Sequence, residues 1–293
     1  MTQRCGFVAI VGRPNVGKST LLNHVLRQKI SITSRKPQTT RHNLTGVDTE
    51  QDRQALYIDT PGLHRNVNKA LNKYMVSAAL AALKDVDVIV MVVEAGRWRE
   101  EDDWVLAQVA RYAVPRIAVL NKVDLLARKA DLLPEIAQLS ERGVFDEIIP
   151  LSALKSDGVE SLRAEVFKRL PEGVHHFDAD DVTDQSMRHL VEEIVREKLM
   201  RQIGDEIPHS AAVVVERYAE GAVTEIHADI YVERDSQKRI VIGQQGKRLK
   251  LIGSEARTEI ETLIDGKVML HLWVKVRKGW TNDPRLMARL GYR

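Results

Sequence analysis

Short apolar runs alternate with amphipathic stretches up to about residue 170. The runs are FVAIVG, ALYI, VDVIVMVV, RIAVL and EIIP, and the stretches between them include STLLNHVL, DDWVLAQVARYA and VESLRAEVFKRL. Because apolar positions in the stretches recur at helical spacing, this order predicts strands that alternate with helices. We therefore expect an α/β domain with a mostly parallel sheet, which binds its ligand at the carboxyl ends of the strands.

The pattern changes at PEGVHHFDADDVTDQ, which has no hydrophobic period and contains Pro, Gly and several acids. We interpret residues 173–185 as a linker. Beyond it, residues 186–203 predict a helix, AAVVVERY and VTEIHADIYVER predict two strands, and VMLHLWVKV predicts a last strand with one buried face. Between the strands, VIGQQGKRLK joins two helical pieces. The predicted division is an α/β domain at residues 1–172 and a smaller α+β domain at residues 186–293.

The composition is that of a globular protein, with 44% hydrophobic and 29% charged residues in a chain of 293. The longest wholly apolar run, at residues 88–93, is too short to cross a bilayer. Cys5 is the only cysteine and no apolar stretch of signal-peptide length precedes the first strand, so we expect a reduced, cytoplasmic protein without a thiol nucleophile. The net charge of +3 excludes no partner, but residues 236–250 contain five Lys or Arg and no acid. The adjacent His175 and His176 lack companion metal ligands at suitable spacing.

The sequence GRPNVGKS lies between the strand FVAIV and the helix STLLNHVL. This context is typical of a phosphate-binding loop, because glycines let backbone N–H groups surround the phosphates and a helix N-terminus favours negative charge. In such a loop Lys18 reaches the β- and γ-phosphates, and the Ser19 hydroxyl binds Mg²⁺. The candidate nucleotide-binding residues of the loop are Gly12, Arg13, Pro14, Asn15, Val16, Gly17, Lys18, Ser19 and Thr20.

Three further motifs end predicted strands in the order that a guanine-nucleotide site requires. DTPG follows ALYI, where the Asp59 carboxylate can hold Mg²⁺ through water and the Gly62 N–H can meet the γ-phosphate. NKVD follows IAVL, and Asp124 can accept both the N1–H and the N2–H of guanine, a pair that adenine lacks. SAL follows EIIP and can place a backbone N–H near guanine O6. These motifs add Asp59, Thr60, Pro61, Gly62, Leu63, Asn121, Lys122, Val123, Asp124, Ser152, Ala153 and Leu154 to the candidate site.

Together the four motifs resemble those of the translation-factor-related GTPases, over about the first 170 residues. The resemblance implies binding and hydrolysis of GTP with Mg²⁺. It also implies a threonine on a mobile loop that closes on Mg²⁺ and the γ-phosphate; KPQTTRHN offers Thr39 and Thr40, of which we prefer Thr40. The metal ligands are then Ser19, Thr40 and Asp59, and the catalytic candidates are Lys18, Thr40, Gly62 and Asn15.

One position departs from many small GTPases. Where they carry a glutamine that orients the attacking water, this chain has Leu63, which cannot form a hydrogen bond. We therefore expect slow intrinsic hydrolysis. Related bacterial GTPases with an apolar residue at this place often carry an asparagine at the position of Asn15, and in some of them it helps to seat K⁺. Potassium as a further cofactor is thus a hypothesis, beside simple hydrogen bonding of Asn15 within the phosphate loop.

A second glycine loop lies in VIGQQGKRLK, and it lacks the GKS ending of a nucleotide loop. A short GxxG turn between helices, followed by basic side chains, matches the nucleic-acid clamp of KH domains, whose backbone closely approaches about four nucleotides. The order helix, strand, strand, helix, helix, strand resembles the type II KH form, and single-stranded RNA is the expected ligand. Trp273 and Trp280 could stack on bases, although packing is the commoner role of such residues. The candidate RNA-binding residues are Ile242, Gly243, Gln244, Gln245, Gly246, Lys247, Arg248 and Lys250.

The segments GRPNVGKSTLLN, ITSRKPQTTR, DTPGLH, NKVD, VIGQQGKRLKLIG and LWVKVRKGW together resemble the Era family of bacterial GTPases along essentially the whole chain. The resemblance implies a GTP-dependent switch that binds 16S ribosomal RNA near its 3′ end through a KH domain and acts in assembly of the 30S ribosomal subunit. It further implies a monomer in the cytoplasm with a peripheral contact to the inner face of the cell membrane.

Two other classes of function stay open at this point. A GTP-regulated module could grip a protein or an anionic membrane through the basic face of the second domain. Replacing Gln244 and Gln245 with Asp should abolish RNA binding, yet largely spare a protein contact, because a protein needs no close approach to the loop backbone. A metabolic P-loop enzyme is less consistent with the sequence, because NKVD selects guanine and no cluster of acid, base or nucleophile stands elsewhere.

Overall fold

The structure, a computed structural model, describes residues 2–34, 36, 38–65, 69–203 and 211–292, except for the side chain of Lys129. The chain forms two compact units. The first unit comprises residues 1–33, 40–67 and 72–184, and the second comprises residues 34–39, 68–71 and 185–293. Within the described ranges, no helix combines the length and the apolar character needed to cross a membrane.

The first unit is built on a six-stranded sheet with helices on both faces. Its strands are β1 (Arg4–Val11), β2 (Leu44–Glu50), β3 (Arg53–Asp59), β4 (Val88–Glu94), β5 (Arg116–Asn121) and β6 (Glu147–Pro150). Its helices are α1 (Lys18–Val25), α2 (Ala70–Ala81), α3 (Glu100–Val109), α4 (Leu132–Glu141) and α5 (Val159–Arg169). The strand order is β2-β3-β1-β4-β5-β6, and only the β2–β3 pair is antiparallel. The predicted mostly parallel α/β fold is confirmed.

Alternate residues of the central strands enter two hydrophobic clusters. Val8 and Ile10 of β1 pack with buried residues of α1 and α5, whereas Ala9 and Val11 pack with those of α2, α3 and α4. Every residue of β4 is buried, as expected for a strand covered on both faces. The parallel strands β1, β3 and β5 therefore end at one edge of the sheet, where the predicted nucleotide motifs follow them.

Residues 173–184, most of the segment that the sequence predicts as a linker, belong to the first unit and form hydrogen bonds with its strands β2 and β3. The buried side-chain amide of Gln54 donates to the Phe177 carbonyl at 2.9 Å and accepts from the His176 N–H at 2.8 Å. Farther along, the Thr183 hydroxyl donates to a carbonyl of β2 at 2.7 Å. Hydrogen bonds of backbone and amide groups fix this segment in place. Such contacts need no regular spacing of apolar residues, so the hydrophobic pattern of the sequence does not reveal them.

The second unit has a three-stranded sheet. Its elements are α6 (Met187–Gln202), β7 (Ala212–Ala219), β8 (Thr224–Val232), α7 (Asp235–Ile242), α8 (Lys247–Ile264), β9 (Val268–Val276) and α9 (Pro284–Arg289). Helices α6 and α8 pack on one face of the sheet, and α9 lies beside part of the other face. The central strand β8 is antiparallel to β7 and parallel to β9. Ile226 and Ala228 of β8 pack with Ile252, Ala256 and Ile260 of α8. The order of elements is the one predicted, so the smaller α+β fold is also confirmed.

Candidate nucleotide site and nucleic-acid-binding loop

The loop between β1 and α1 has a conformation that two glycines make possible. Gly12 (φ 155°) and Gly17 (φ 103°) both lie at positive φ. A Cβ added at Gly12 would lie 2.3 Å from the Val92 carbonyl oxygen, and one at Gly17 would lie 2.3 Å from Asn121 Nδ2. No non-bonded atoms approach so closely, so both positions require glycine. The first N–H groups of α1, which begins at Lys18, lack partners within the helix and can bind phosphate.

Lys18 is buried in this loop, and its ammonium group has well-defined acceptors. Nζ donates to the carbonyl oxygens of Gly12 and Arg13, each at 3.1 Å. Burial lowers the pKa of Lys18 to about 8, while the nearby Asp59 carboxylate opposes that shift. Because an ammonium has three hydrogens, one more can be donated to a phosphate oxygen, and the phosphate charge would favour the protonated form.

Three side-chain oxygens meet where β3 ends. Ser19 Oγ donates to Asp59 Oδ2 at 2.6 Å and lies 2.7 Å from Thr40 Oγ1. Asp59 Oδ1 is buried and has no hydrogen-bond partner among the described residues. Burial raises the pKa of the Asp59 carboxyl. A cation beside this carboxyl would oppose that shift, because it favours the ionised form. Since Mg²⁺ prefers oxygen ligands, this group of residues fits the ion that the sequence predicts.

The structure places Thr40, and not Thr39, beside this group of oxygens. The Thr39 hydroxyl donates instead to the Lys36 carbonyl at 2.7 Å. Sequence reasoning missed Ser31, whose buried hydroxyl donates to Asp59 Oδ2 at 2.9 Å. Ser31 stands in ISITSR, outside any recognised motif, so only the packing of this loop against β3 reveals its role.

The NKVD and SAL motifs lie together, and Asn121 joins them to the phosphate loop. Its Nδ2 donates to the Val16 carbonyl at 2.7 Å, and its Oδ1 accepts from the Ala153 N–H at 2.9 Å. The Ala153 N–H is therefore directed at Asn121, and the prediction that a backbone N–H of the SAL motif lies near guanine O6 stays a prediction. Ser152 Oγ donates to Asp124 Oδ1 at 2.5 Å, which orients the exposed carboxylate predicted to select guanine.

Two predicted nucleotide-binding side chains form ion pairs within the protein. Arg13 Nε donates to Asp102 Oδ2 at 3.0 Å, and its Nη2 lies 3.4 Å from Glu94 Oε2. Lys122 Nζ donates to the same Glu94 oxygen at 2.9 Å. Buried acids thus hold the Arg13 guanidinium away from the nucleotide. Arg13 would contact a phosphate through its backbone and not through its side chain. Sequence reasoning missed Glu94 and Asp102, because acids at a strand end and in a first helical turn are commonplace.

The positions next to the γ-phosphate motif pack tightly. Leu63 is fully buried in the hydrophobic cluster below the sheet, and its N–H donates to the Gly12 carbonyl at 3.1 Å. A Cβ added at Gly62 would lie 2.8 Å from Pro14 Cα, so this motif also requires glycine.

The remaining predicted residues differ in exposure. Asn15 is exposed at φ 64°. Of the other predicted residues, Val16, Thr60 and Pro61 are buried, Thr20 and Val123 are half-buried, and Leu154 is exposed.

The GQQG turn joins α7 to α8 through three residues at positive φ. They are Gly243 (φ 72°, ψ 179°), Gln245 (φ 52°) and Gly246 (φ 75°). A Cβ at Gly243 would lie 2.7 Å from Arg248 Cβ, whereas one at Gly246 would meet nothing within 4 Å. Gln244 and Gln245 are exposed at the tip. The second glycine therefore leaves open space beside the backbone, which a ligand can enter.

The basic side chains after the turn have two different environments. Lys247 and Lys250 are exposed in the first turn of α8. Arg248 Nη1 instead donates to the Ile240 carbonyl at 2.6 Å and so satisfies the end of α7. Arg248 therefore joins the two helices, and its predicted RNA contact stays a prediction. Ile242 is half-buried and packs against the core of the second unit.

Comparisons with known proteins match both units. Residues 7–122 match a family model described as a 50S ribosome-binding GTPase, and residues 206–281 match a KH domain. GTPase Era of Pseudomonas putida (strain W619) is 54% identical over 290 residues, covering 99% of this chain and 97% of that protein. GTPase Era of Azotobacter vinelandii (strain DJ) is 54% identical over 291 residues with the same coverage. The chain belongs to the Era GTPase family.

Two solved structures extend the likeness to three dimensions. One is Era in complex with MgGDPNP and nucleotides 1506–1542 of 16S ribosomal RNA; it is 38% identical, with a TM-score of 0.96 and 99% coverage of both chains. The other is a point variant of Aquifex aeolicus Era bound to GDP and AlF4⁻, with the same identity, TM-score and coverage. The predicted family, its GTPase class and its nucleotide cofactor with Mg²⁺ are thereby confirmed.

Proposed function

We propose that this Era-family GTPase binds single-stranded RNA from the 3′ region of 16S ribosomal RNA through its GQQG turn and acts in assembly of the 30S ribosomal subunit. The observation that carries the proposal is the exposed turn with its open second glycine and two exposed lysines. The solved Era bound to nucleotides 1506–1542 of 16S ribosomal RNA supports the choice of RNA, because its structural match extends over 99% of this chain.

On the nucleotide side, each predicted group has a distinct task. Lys18 binds the β- and γ-phosphates and balances charge that grows on the transferring phosphoryl group. Ser19, Thr40 and Asp59 would hold Mg²⁺, which would supply further charge neutralisation. Water attacks the γ-phosphorus, and the bond to the β–γ bridging oxygen breaks. The buried Leu63 offers no hydrogen bond to this water, so hydrolysis by the chain alone is expected to be slow.

On the RNA side, the backbone of the turn carries the recognition. Three of its residues have positive φ, and a Cβ placed at Gly246 would meet no atom within 4 Å, so the backbone is open to a ligand there. A phosphate of the RNA can then approach the N–H groups at the start of α8, while Lys247 and Lys250 lie beside it. Unpaired bases remain free to be recognised by their edges, which double-stranded RNA would conceal.

The test is fluorescence anisotropy of a labelled single-stranded RNA copied from the 3′ end of 16S ribosomal RNA. The full chain is titrated with GDP and with a non-hydrolysable GTP analogue, at fixed salt. The loop variant is Gln244→Glu with Gln245→Glu, which changes charge but not shape. Its control is Thr258→Glu with Thr262→Glu, which adds the same charge to exposed positions of α8. Thr258 lies about 16 Å along the helix from Lys247, at 1.5 Å per residue.

We expect the loop variant to bind RNA at least about tenfold more weakly. One unfavourable contact with a phosphate that costs roughly 1.4 kcal/mol corresponds to a tenfold loss of affinity. The control should stay within about twofold, since its charges lie more than a Debye length away. Tighter binding with the GTP analogue would support a switch. An equal loss of RNA affinity in both variants would show that RNA responds only to the overall charge of this domain. That result would refute recognition by the turn.

A protein or anionic-membrane partner is the alternative that the same experiment separates. If RNA fails to bind in both nucleotide states while GTP is hydrolysed normally, the RNA proposal is wrong and the basic face serves another partner. The peripheral membrane contact and the monomeric state stay expectations of the family resemblance. RNA binding at the turn depends on neither.

A further inference from the structure

The sheet face opposite α6 and α8 carries a cluster of side chains of the types that bind metals. Ile226 and Ala228 of β8 enter the core, so Glu225 and His227, which alternate with them, lie on the other face. His271 of β9 is the register partner of His227. The pleat and the register therefore bring one carboxylate and two imidazoles together, and neither GTP hydrolysis nor the GQQG turn uses them.

The three side chains lie close to a coordinating arrangement. One ligand atom from each lies within 4.8 Å of the other two. His227 Nε2 donates to Glu225 Oε1 at 2.7 Å, and the imidazole centroids of His227 and His271 are 4.8 Å apart. Tetrahedral Zn²⁺ with bonds of about 2.0–2.2 Å separates its ligand atoms by about 3.4 Å, so a side-chain shift of roughly an ångström suffices. The side chains of His227 and Glu225 are 28% and 34% exposed, which gives an ion access from solvent.

We propose that Glu225, His227 and His271 form a binding site for a divalent transition-metal cation of the zinc type. Two imidazoles with one carboxylate suit Zn²⁺, Co²⁺, Ni²⁺ or Cu²⁺, whereas Mg²⁺ prefers oxygen alone. Three protein ligands leave a fourth position for water or an exogenous oxygen ligand. Because all three residues stand on paired strands, the backbone already fixes their spacing before an ion arrives.

Arg217 and Trp273 lie next to the proposed ligands and affect the site in different ways. Arg217 Nη2 lies 3.1 Å from Glu225 Oε2, and its charge opposes a bound cation. Trp273 stacks on the His271 ring, with centroids 5.8 Å apart and planes at 24°, which limits the orientations of that imidazole. Replacing Arg217 should therefore tighten metal binding, a change that a merely structural cluster would not show.

The test is calorimetric titration of Zn²⁺ into the full chain saturated with Mg²⁺ and GDP, so that the nucleotide site is filled. We expect one zinc per chain. His227→Ala and His271→Ala should each weaken binding at least about tenfold, because even an outer-shell change costs that much. Arg217→Ala should bind zinc more tightly, and His175→Ala, which removes a histidine of the first unit, should bind as the unchanged protein does. Co²⁺ absorption in the visible range should report one tetrahedral site.

Zinc affinity that is unchanged in both histidine variants would place the ion elsewhere and overturn the site. Absence of zinc binding by the unchanged chain would do the same. Circular dichroism monitors folding of each variant, and Glu225→Gln keeps the shape of the side chain should a histidine variant fail to fold. Glu225→Gln removes only the negative charge of this ligand. We expect this variant to bind zinc at least about tenfold more weakly than the unchanged protein.

Discussion

Replacing Gly243 with Ala should destabilise the second unit far more than replacing Gly246, although both glycines stand in one turn at similar φ. Gly243 has φ 72° and ψ 179°, a region that is essentially restricted to glycine and costs another residue about 1–3 kcal/mol. Gly246 has φ 75° and ψ 4°, near the left-handed helical region, where alanine costs about 1–2 kcal/mol.

Packing widens the difference between the two positions. A Cβ at Gly243 would lie 2.7 Å from Arg248 Cβ and 3.2 Å from its backbone nitrogen, whereas carbon atoms pack at about 3.5–4.0 Å. Arg248 cannot simply withdraw, because its guanidinium donates to the Ile240 carbonyl at 2.6 Å. A Cβ at Gly246 meets nothing within 4 Å. We expect a loss of about 3 kcal/mol for Gly243→Ala, the upper end of the range for such backbone strain.

Hydrogen exchange with mass spectrometry on the full chain measures this loss locally. About 3 kcal/mol corresponds to a roughly 150-fold increase in exchange in peptides of α7 and α8, against about 5- to 30-fold for Gly246→Ala. Peptides of β1 and α1 in the first unit serve as the internal reference and should not change. Equal acceleration in the two variants would show that the Arg248 contact relaxes at little cost, and would refute this reasoning.

Three further predictions concern the nucleotide site. Asn121→Ala should lower both the melting temperature and the GDP affinity, because the Val16 carbonyl and the Ala153 N–H each lose a buried partner worth about 1–3 kcal/mol; calorimetry that finds both unchanged would contradict the role of this residue. Since the pKa of Lys18 is about 8 and phosphate favours its charged form, GDP binding should take up a proton above about pH 8 and weaken as pH rises, with no such linkage below it. Titrations in two buffers of different ionisation heat measure this uptake, and none at about pH 9 would be inconsistent with it. If Asn15 helps to seat potassium, GTP turnover in potassium chloride should exceed that in sodium chloride, and equal rates would remove that hypothesis.

The parts of the fold that follow apolar spacing were predictable from the sequence. The runs that became β1, β3, β4 and β5 are buried on both faces, and such strands read as continuous apolar stretches. β9 alternates apolar and polar residues because only one of its faces enters the core. The nucleotide motifs were predictable as well, since each follows a strand and carries residue types with a fixed chemistry.

The features that escaped prediction depend on side-chain contacts between distant segments. Ser31 reaches Asp59 across a loop, and no local pattern marks it. The direction of Arg13 is set by Asp102 and Glu94, which stand far away in the sequence. Arg248 is predicted as an RNA ligand by its position, and no local pattern shows that it also donates to a carbonyl at the end of α7. Sequence identifies which residues can do the chemistry, and packing decides which of them are available.

The two glycine loops show how burial separates functions that share a ligand chemistry. Both offer positive-φ backbone, a helix N-terminus and lysine to phosphate. Lys18 is only 6% exposed, so its charge is desolvated and acts on one bound nucleotide whose phosphates must enter the loop. Lys247 and Lys250 stand in solvent, where a charge is screened and exchanges readily between neighbouring phosphates of a polymer. Under the proposed function, the same residue types would hold a small nucleotide where they are enclosed and an RNA strand where they are exposed.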